Sequence, residues 1–227
     1  MQPAWQLSGQ FEGDIILTPR AKSRNNRNKI WPNRTVPYMF RDGGKYTKKQ
    51  KRLIKSALKQ FQKKTCITVR SYKPGDRDYI AITANDDGCY SSVGREGGEQ
   101  QTNLQPHVIG KGCMRQGSII HEFLHILGFL HEHGDPNRDS YIQIRTENID
   151  REATINFVKY SPEVYNDFGA GYDYRSLMHY NAFAFTNNSK KTIIAPNYIG
   201  QRAGFSTKDI IKLNRMYGCD SNWSPRN

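Results

Sequence analysis

The sequence predicts an α+β protein of two lobes around a cleft, and three observations carry that expectation. Strand-like runs and an amphipathic helix share the first half of the chain. The central stretch GSIIHEFLHILG is apolar on nearly all sides, as in a helix buried in the middle of a protein. Beyond Gly134 the turn-forming segments GDPNRDSY and GAGYDYRS break the chain, leaving that half mostly irregular until one final helix. At 227 residues the chain is long enough to bury a sizeable core.

Residues 1 to 30 are polar, basic and without helical periodicity, so a boundary falls before Trp31 and the head reads as a detachable segment. WPNRTVPYMF opens the first strand. In YTKKQKRLIKSALKQFQKK, Thr47 is the expected N-cap, and Leu53, Ile54, Ala57, Leu58 and Phe61 share one helical face. CITVRSY and YIAITA are strand-like and rich in β-branched residues, which suit a pleated, half-buried surface. CYSSVGREGGEQQTNLQ, glycine-rich in its middle, reads as strand, turn and strand. The last helix begins near STKDI, where Ser206 precedes Asp209 by three in a loose capping box, and runs to about Tyr217 before a Gly218 stop.

Hydrophobic residues make up 36% of the chain and no apolar run reaches the length of a membrane span, which predicts a soluble protein. The net charge of +13 invites a nucleic-acid reading, and the lysine-rich helix is the obvious surface for it. That helix explains itself as a solvated face, without interleaved aromatics or a recognised motif, so no nucleic acid is expected. MQPAWQLSGQ has none of the parts of a signal peptide, so export would require that Met1 stand where a leader has been removed. The four cysteines form no CxxC pair, which argues against a cysteine-built zinc site. Their dispersed spacing fits two disulfides, with four free thiols as the alternative. Glycosylation triplets begin at Asn33, Asn187 and Asn222, the last weakened by Pro225.

Four of the six histidines fall within GSIIHEFLHILGFLHEHGD. On a helix, His121 and His125 project from one face, with tips close enough to share an ion. Gly128 lets the chain turn sharply, so that His131 can swing back toward the same ion. Three neutral imidazoles with one open position are what a catalytic zinc needs to hold a water whose pKa it lowers to about 7. Glu122, beside the first ligand, is placed to take the proton of that water and pass it to a leaving amine. The full pattern HEFLHILGFLH, with Met178 in SLMHY, is the metzincin signature.

With HEHGDPNRDSYI after the histidines, YDYRSLMHY around Met178 and WPNRTVPY near the start, the chain resembles the astacin family of secreted zinc endopeptidases along nearly its whole length. The resemblance implies a two-lobed metzincin fold with a twisted mixed sheet and helices in the first lobe, the lobes dividing near 131–134. It implies one Zn2+ bound by His121, His125 and His131, Glu122 as general base and acid, and Met178 beneath the metal. Tyr180 would be a hinged fifth ligand able to donate to the oxyanion. The family pairs Cys66 with Cys219 and Cys89 with Cys113, and lays extended protein or peptide substrates along the strand CYSSVGR.

FEGD at 11–14 resembles the FxGD motif of astacin propeptides, whose aspartate, here Asp14, binds the zinc and keeps the enzyme off. The chain thus resembles a monomeric zymogen, with a propeptide at 1–20 (boundary 20–24) and a catalytic domain at 21–227. Its partner would be an activating trypsin-like protease cutting between Arg20 and Ala21, with Arg24 as the rival site. The family buries the new amino terminus against the glutamate after the third histidine, Glu132. Asp135 and Asn137 depart from the family pattern, and His107, His133 and His179 fit no ligand position. A polyanion binder and a binding protein that has lost catalysis are the competing classes. No ligand or base is damaged, as the latter would require.

Overall fold

The computed structural model describes residues 4–18 and 30–219. Strands β1 (Thr35–Phe40), β2 (Thr68–Ser71), β3 (Tyr79–Thr83), β4 (Cys89–Ser91) and β5 (Glu99–Leu104) form one sheet in the order β2-β1-β3-β5-β4. Four of them run parallel, and β4 lies antiparallel to β5 at the edge. Val36, Ile67, Val69, Ile80 and Ile82 send buried side chains into the main core, each contributing about 1.5–3 kcal/mol when fully withdrawn from water.

Helix α1 (Lys48–Lys64) is closed at its start by Thr47: the Gln50 N–H donates to Thr47 Oγ1 at 3.2 Å and the Thr47 N–H to Gln50 Oε1 at 2.8 Å. Its apolar stripe buries Ile54, Ala57, Leu58 and Phe61, with Leu53 half-buried, and leaves most of its lysines exposed. Helix α2 (Gln116–Ile126) is buried from Ile119 to its end, and Phe61 of α1 packs 6.4 Å, ring to ring, from its Phe123. Within the described residues no helix is long and apolar enough to cross a membrane.

After α2 the chain runs through short 3-10 turns and one two-stranded ribbon, β6 (Gln143–Ile144) with β7 (Ile193–Ile194). A second core of Ile142, Ile149, Phe157, Tyr172, Tyr180 and Ile193 fills this half. Helix α3 (Thr207–Met216) opens on the capping box of Ser206 and Asp209 and ends one residue before Tyr217. Although it follows the second half in sequence, its Leu213 and the adjoining Tyr217 belong to the first core. Disulfides join Cys66 to Cys219 and Cys89 to Cys113, the first anchoring the chain just after α3 to the end of α1, the second tying β4 to the approach to α2.

The head of the chain, read in the sequence as detachable, is packed between the two cores. Trp5 joins the second core and Ile15 is buried. Extended chain needs partners for its polar backbone, and here it finds them on β4: the Ser91 N–H donates to the Asp14 carbonyl at 2.8 Å and the Ile16 N–H to the Ser91 carbonyl at 2.9 Å. Gly13 has φ +85°, and a Cβ there would stand 2.6 Å from the Trp5 ring, which explains the glycine of FEGD.

Candidate active site

Helix geometry stacks His121 and His125 one turn apart, with ring centroids 4.8 Å from each other. The helix ends at Ile126, and two residues on Gly128 takes a φ of +110°, open to glycine and strained for other residues. The chain doubles back and brings the His131 ring to 5.4 Å from His121 and 4.7 Å from His125. Asp14 of the head enters the same space: one donor atom from each of Asp14, His121, His125 and His131 lies within 4.8 Å of the others, and all four residues are buried.

Each histidine is aimed by its outer nitrogen. His121 Nδ1–H donates to the Leu177 carbonyl at 2.7 Å, His125 Nδ1–H to the Phe129 carbonyl at 2.8 Å, and His131 Nδ1–H to Glu12 Oε2 at 2.6 Å. The three Nε2 atoms therefore face Asp14. His121 Nε2 is 3.0 Å from Asp14 Oδ2, whereas His131 and His125 Nε2 stand 3.2 and 3.4 Å from Oδ1. Asp14 Oδ1, His125 Nε2 and His131 Nε2 are buried polar atoms without a hydrogen-bond partner. Such orphans are costly, and their convergence on one point fits a divalent cation held by three imidazole nitrogens and one carboxylate oxygen, the donor set of zinc.

Burial pushes the His121 imidazolium down to about 3, so the ring is a neutral donor. Burial opposes a charge on His131 too, but Asp14 and Glu12 outweigh it and raise this ring to about 9. A cation held there by the three imidazoles would supply that positive charge in place of the proton. Burial alone would raise the Asp14 carboxyl, yet the His131 charge, then the imidazoles packed against it, hold it well below the usual carboxylate range.

Glu122 is buried and its Oε2 accepts from Ser91 Oγ at 3.0 Å. Burial, then the charge of Asp14, pushes its carboxyl well above the usual range. Tyr180 donates its hydroxyl to the Glu12 carbonyl at 2.7 Å and stacks on His133 with centroids 3.7 Å apart. Met178 is buried, and its carbonyl accepts from the Glu132 N–H at 3.0 Å. Asp209 of α3 pins this turn, accepting from Ser176 Oγ at 2.6 Å and the Leu177 N–H at 3.0 Å. The capping carboxylate of the last helix thereby sets the carbonyl that orients His121.

Glu132 accepts from Lys212 Nζ, from the Tyr165 hydroxyl at 3.1 Å and from the Asp173 N–H at 2.7 Å. It lines a largely apolar cavity of about 400 Å³, with Phe11, Leu17, Phe129, Tyr165 and Met216 among its walls. Arg20, Ala21, Arg24 and Asn222 lie outside the described residues. His133 and His179 are buried and serve packing: His133 Nε2 meets the Asn156 carbonyl at 2.7 Å and His179 Nε2 the Tyr172 hydroxyl at 2.6 Å. His107 is half-buried beside Gly112. Asp135 Oδ1 accepts from the Asn137 N–H at 2.7 Å, closing a local turn.

Glu12, Tyr160 and Ser91 escaped the sequence reading. Glu12 occupies the variable position of FxGD, Ser91 lies in CYSSVGR, a stretch whose resemblance points to the substrate backbone and not to Glu122, and Tyr160 stands in no motif. Only the fold brings them to His131 and Glu122.

A buried three-histidine centre between the two cores of an α+β fold defines a zinc metallopeptidase of the metzincin type. The chain belongs to the astacin family: the model of the Astacin peptidase family matches residues 23–218. It is 43% identical to zinc metalloproteinase nas-13 of Caenorhabditis elegans over 192 residues, covering 83% of this chain and 41% of that one. It is 40% identical to seminal metalloprotease 1 of Drosophila melanogaster, covering 94% of this chain and 88% of the relative. The chain thus spans less than half of the first relative and most of the second. Among solved structures it is similar to high choriolytic enzyme 1, a hatching enzyme zinc-protease from Oryzias latipes, with a TM-score of 0.77 and 34% identity over 86% of this chain and 98% of that one.

Proposed function

We propose that the chain is the latent precursor of a secreted zinc endopeptidase, with a propeptide at 1–20 and a catalytic domain at 21–227. The observation that carries this reading is the Asp14 carboxylate lying against all three imidazoles, 3.0 to 3.4 Å from their Nε2 atoms. His121, His125 and His131 would hold zinc, which supplies Lewis-acid polarisation of the scissile carbonyl and acidifies water. Glu122 takes a proton from the attacking water at its carboxylate and delivers it to the departing amine. Ser91 Oγ, 3.0 Å away, orients that carboxylate. Tyr180, released from the Glu12 carbonyl, donates its hydroxyl to the developing oxyanion. Met178 supports the floor of the centre.

The backbone of Ser91, which the head now occupies, is where an extended protein or peptide substrate would add alongside β4. Two disulfides favour an oxidising, extracellular setting. A trypsin-like cut between Arg20 and Ala21, or after Arg24, would let the head leave a monomeric enzyme whose new amino terminus approaches Glu132. The test is zinc content together with cleavage of a denatured protein, before and after limited trypsin, with Glu122→Ala alongside. Activity that appears only after the cut, and only with Glu122 present, supports the reading. Bound zinc with no activity after a confirmed cut would favour a binding protein that has kept the fold.

A further inference from the structure

Glu12 is held through both its backbone and its carboxylate. Its N–H donates to Asn156 Oδ1 at 3.0 Å, and its carbonyl accepts from the Tyr180 hydroxyl at 2.7 Å. Its Oε2 accepts from both the Tyr160 hydroxyl at 2.5 Å and His131 Nδ1–H at 2.6 Å. The residue is 1% exposed and its backbone takes φ +50°, a left-handed conformation that a glutamate adopts only when its surroundings enforce it.

The other two metal-facing histidines are aimed by carbonyls of the catalytic domain itself, Leu177 and Phe129. The third alone is aimed by a carboxylate, and that carboxylate belongs to the head. A carboxylate accepting from the outer nitrogen of a metal-binding imidazole fixes its tautomer and raises its basicity toward the ion. We propose that Glu12 is a positioning residue for the metal: the head blocks the centre through Asp14 and at the same time tightens its grip on zinc by orienting His131. Departure of the head would remove both contacts together, so activation exchanges a tightly held ion for a more labile one. The Tyr160 hydroxyl, which shares Oε2 with His131, loses its acceptor at the same moment.

This inference rests on the proposed zinc site, and the test separates the two. Uncut wild-type chain is loaded with zinc, and transfer of the metal to a chromophoric chelator is followed for wild type, Glu12→Ala, Glu12→Gln, Asp14→Ala and Asp14→Ala/Glu12→Ala. Loss of an outer-shell partner costs about 10–100-fold in metal affinity, so Glu12→Ala is expected to accelerate release at least about tenfold. Glu12→Gln, whose amide oxygen still accepts a bond, should fall between wild type and alanine. The acceleration should persist when Asp14 is already absent, because the Asn156 and Tyr180 contacts still seat the head. Equal release from Asp14→Ala and the double variant overturns the proposal, since Glu12 then acts only by seating Asp14. Should Glu12→Ala misfold, Glu12→Gln decides, and release at the wild-type rate overturns the proposal. Wild-type chain that takes up no zinc instead refutes the metal site itself.

Discussion

Lys212 Nζ lies 2.8 and 2.7 Å from the two carboxylate oxygens of Glu132, in a pair whose side chains are only 4% and 3% exposed. Glu132 follows His131 directly, so this contact ties α3 to the third histidine. The carboxylate thus has a buried cationic partner within the chain.

Burial raises the Glu132 carboxyl to about 7 even beside Lys212, so removing the lysine leaves a buried carboxyl that must give up its charge and its bonds to Nζ. Lys212→Met is therefore expected to destabilise the protein by about 3–5 kcal/mol, read from urea unfolding with zinc present. The double variant Glu132→Gln/Lys212→Met, which buries no charge, should recover a large part of that loss. Equal stability of the two variants would show that the lysine acts by packing alone.

Gly128 combines φ +110° with a Cβ position 2.4 Å from Met216 Cε. Gly128→Ala should cost about 1–3 kcal/mol and loosen zinc binding, because the same turn delivers His131. Adding Met216→Ala relieves the clash and leaves the backbone strain, so the melting temperature should recover only in part. Full recovery would assign the whole cost to the methionine.

Under the proposed latency, Asp14→Asn keeps the shape of the side chain that lies against the three imidazoles and removes its charge. The uncut variant is expected to cleave a small peptide at least about tenfold faster than uncut wild type, since a loss of about 1.4 kcal/mol in seating already opens the centre by that factor. Wild-type latency in this variant would place the block elsewhere in the head.

Away from the site, Asp76 accepts from Nη1 and Nη2 of Arg70 at 2.7 Å and from the Lys73 N–H, and these bonds bring its carboxyl down to about 2. A depressed folded-state value means that this contribution is complete above the ordinary 3.8 and fades as pH falls toward about 2. The stability gap between wild type and Asp76→Asn should accordingly be flat above about pH 5 and close below that window. A gap independent of pH would argue against the ion pair as its source.

The chain's local spacings are legible without the fold, because they depend on neighbours a few residues apart. Four-residue spacing places His121 beside His125, Thr47 and Ser206 cap their helices through residues three positions on, and Gly128 turns the chain just after α2. The FEGD resemblance pointed to Asp14 only because a family motif stores a long-range contact that composition and periodicity do not contain. Glu12 meeting His131 across 119 residues, Lys212 meeting Glu132 across 80 and Ser91 meeting Glu122 across 31 carry no such mark. The sequence by itself determined the three α-helices, the five strands of the main sheet and the three metal-facing imidazoles, but not the β6–β7 ribbon. Tertiary structure decided what aims and charges them, because a hydrogen bond between distant residues exists only once the two cores have packed and excluded water from the space between.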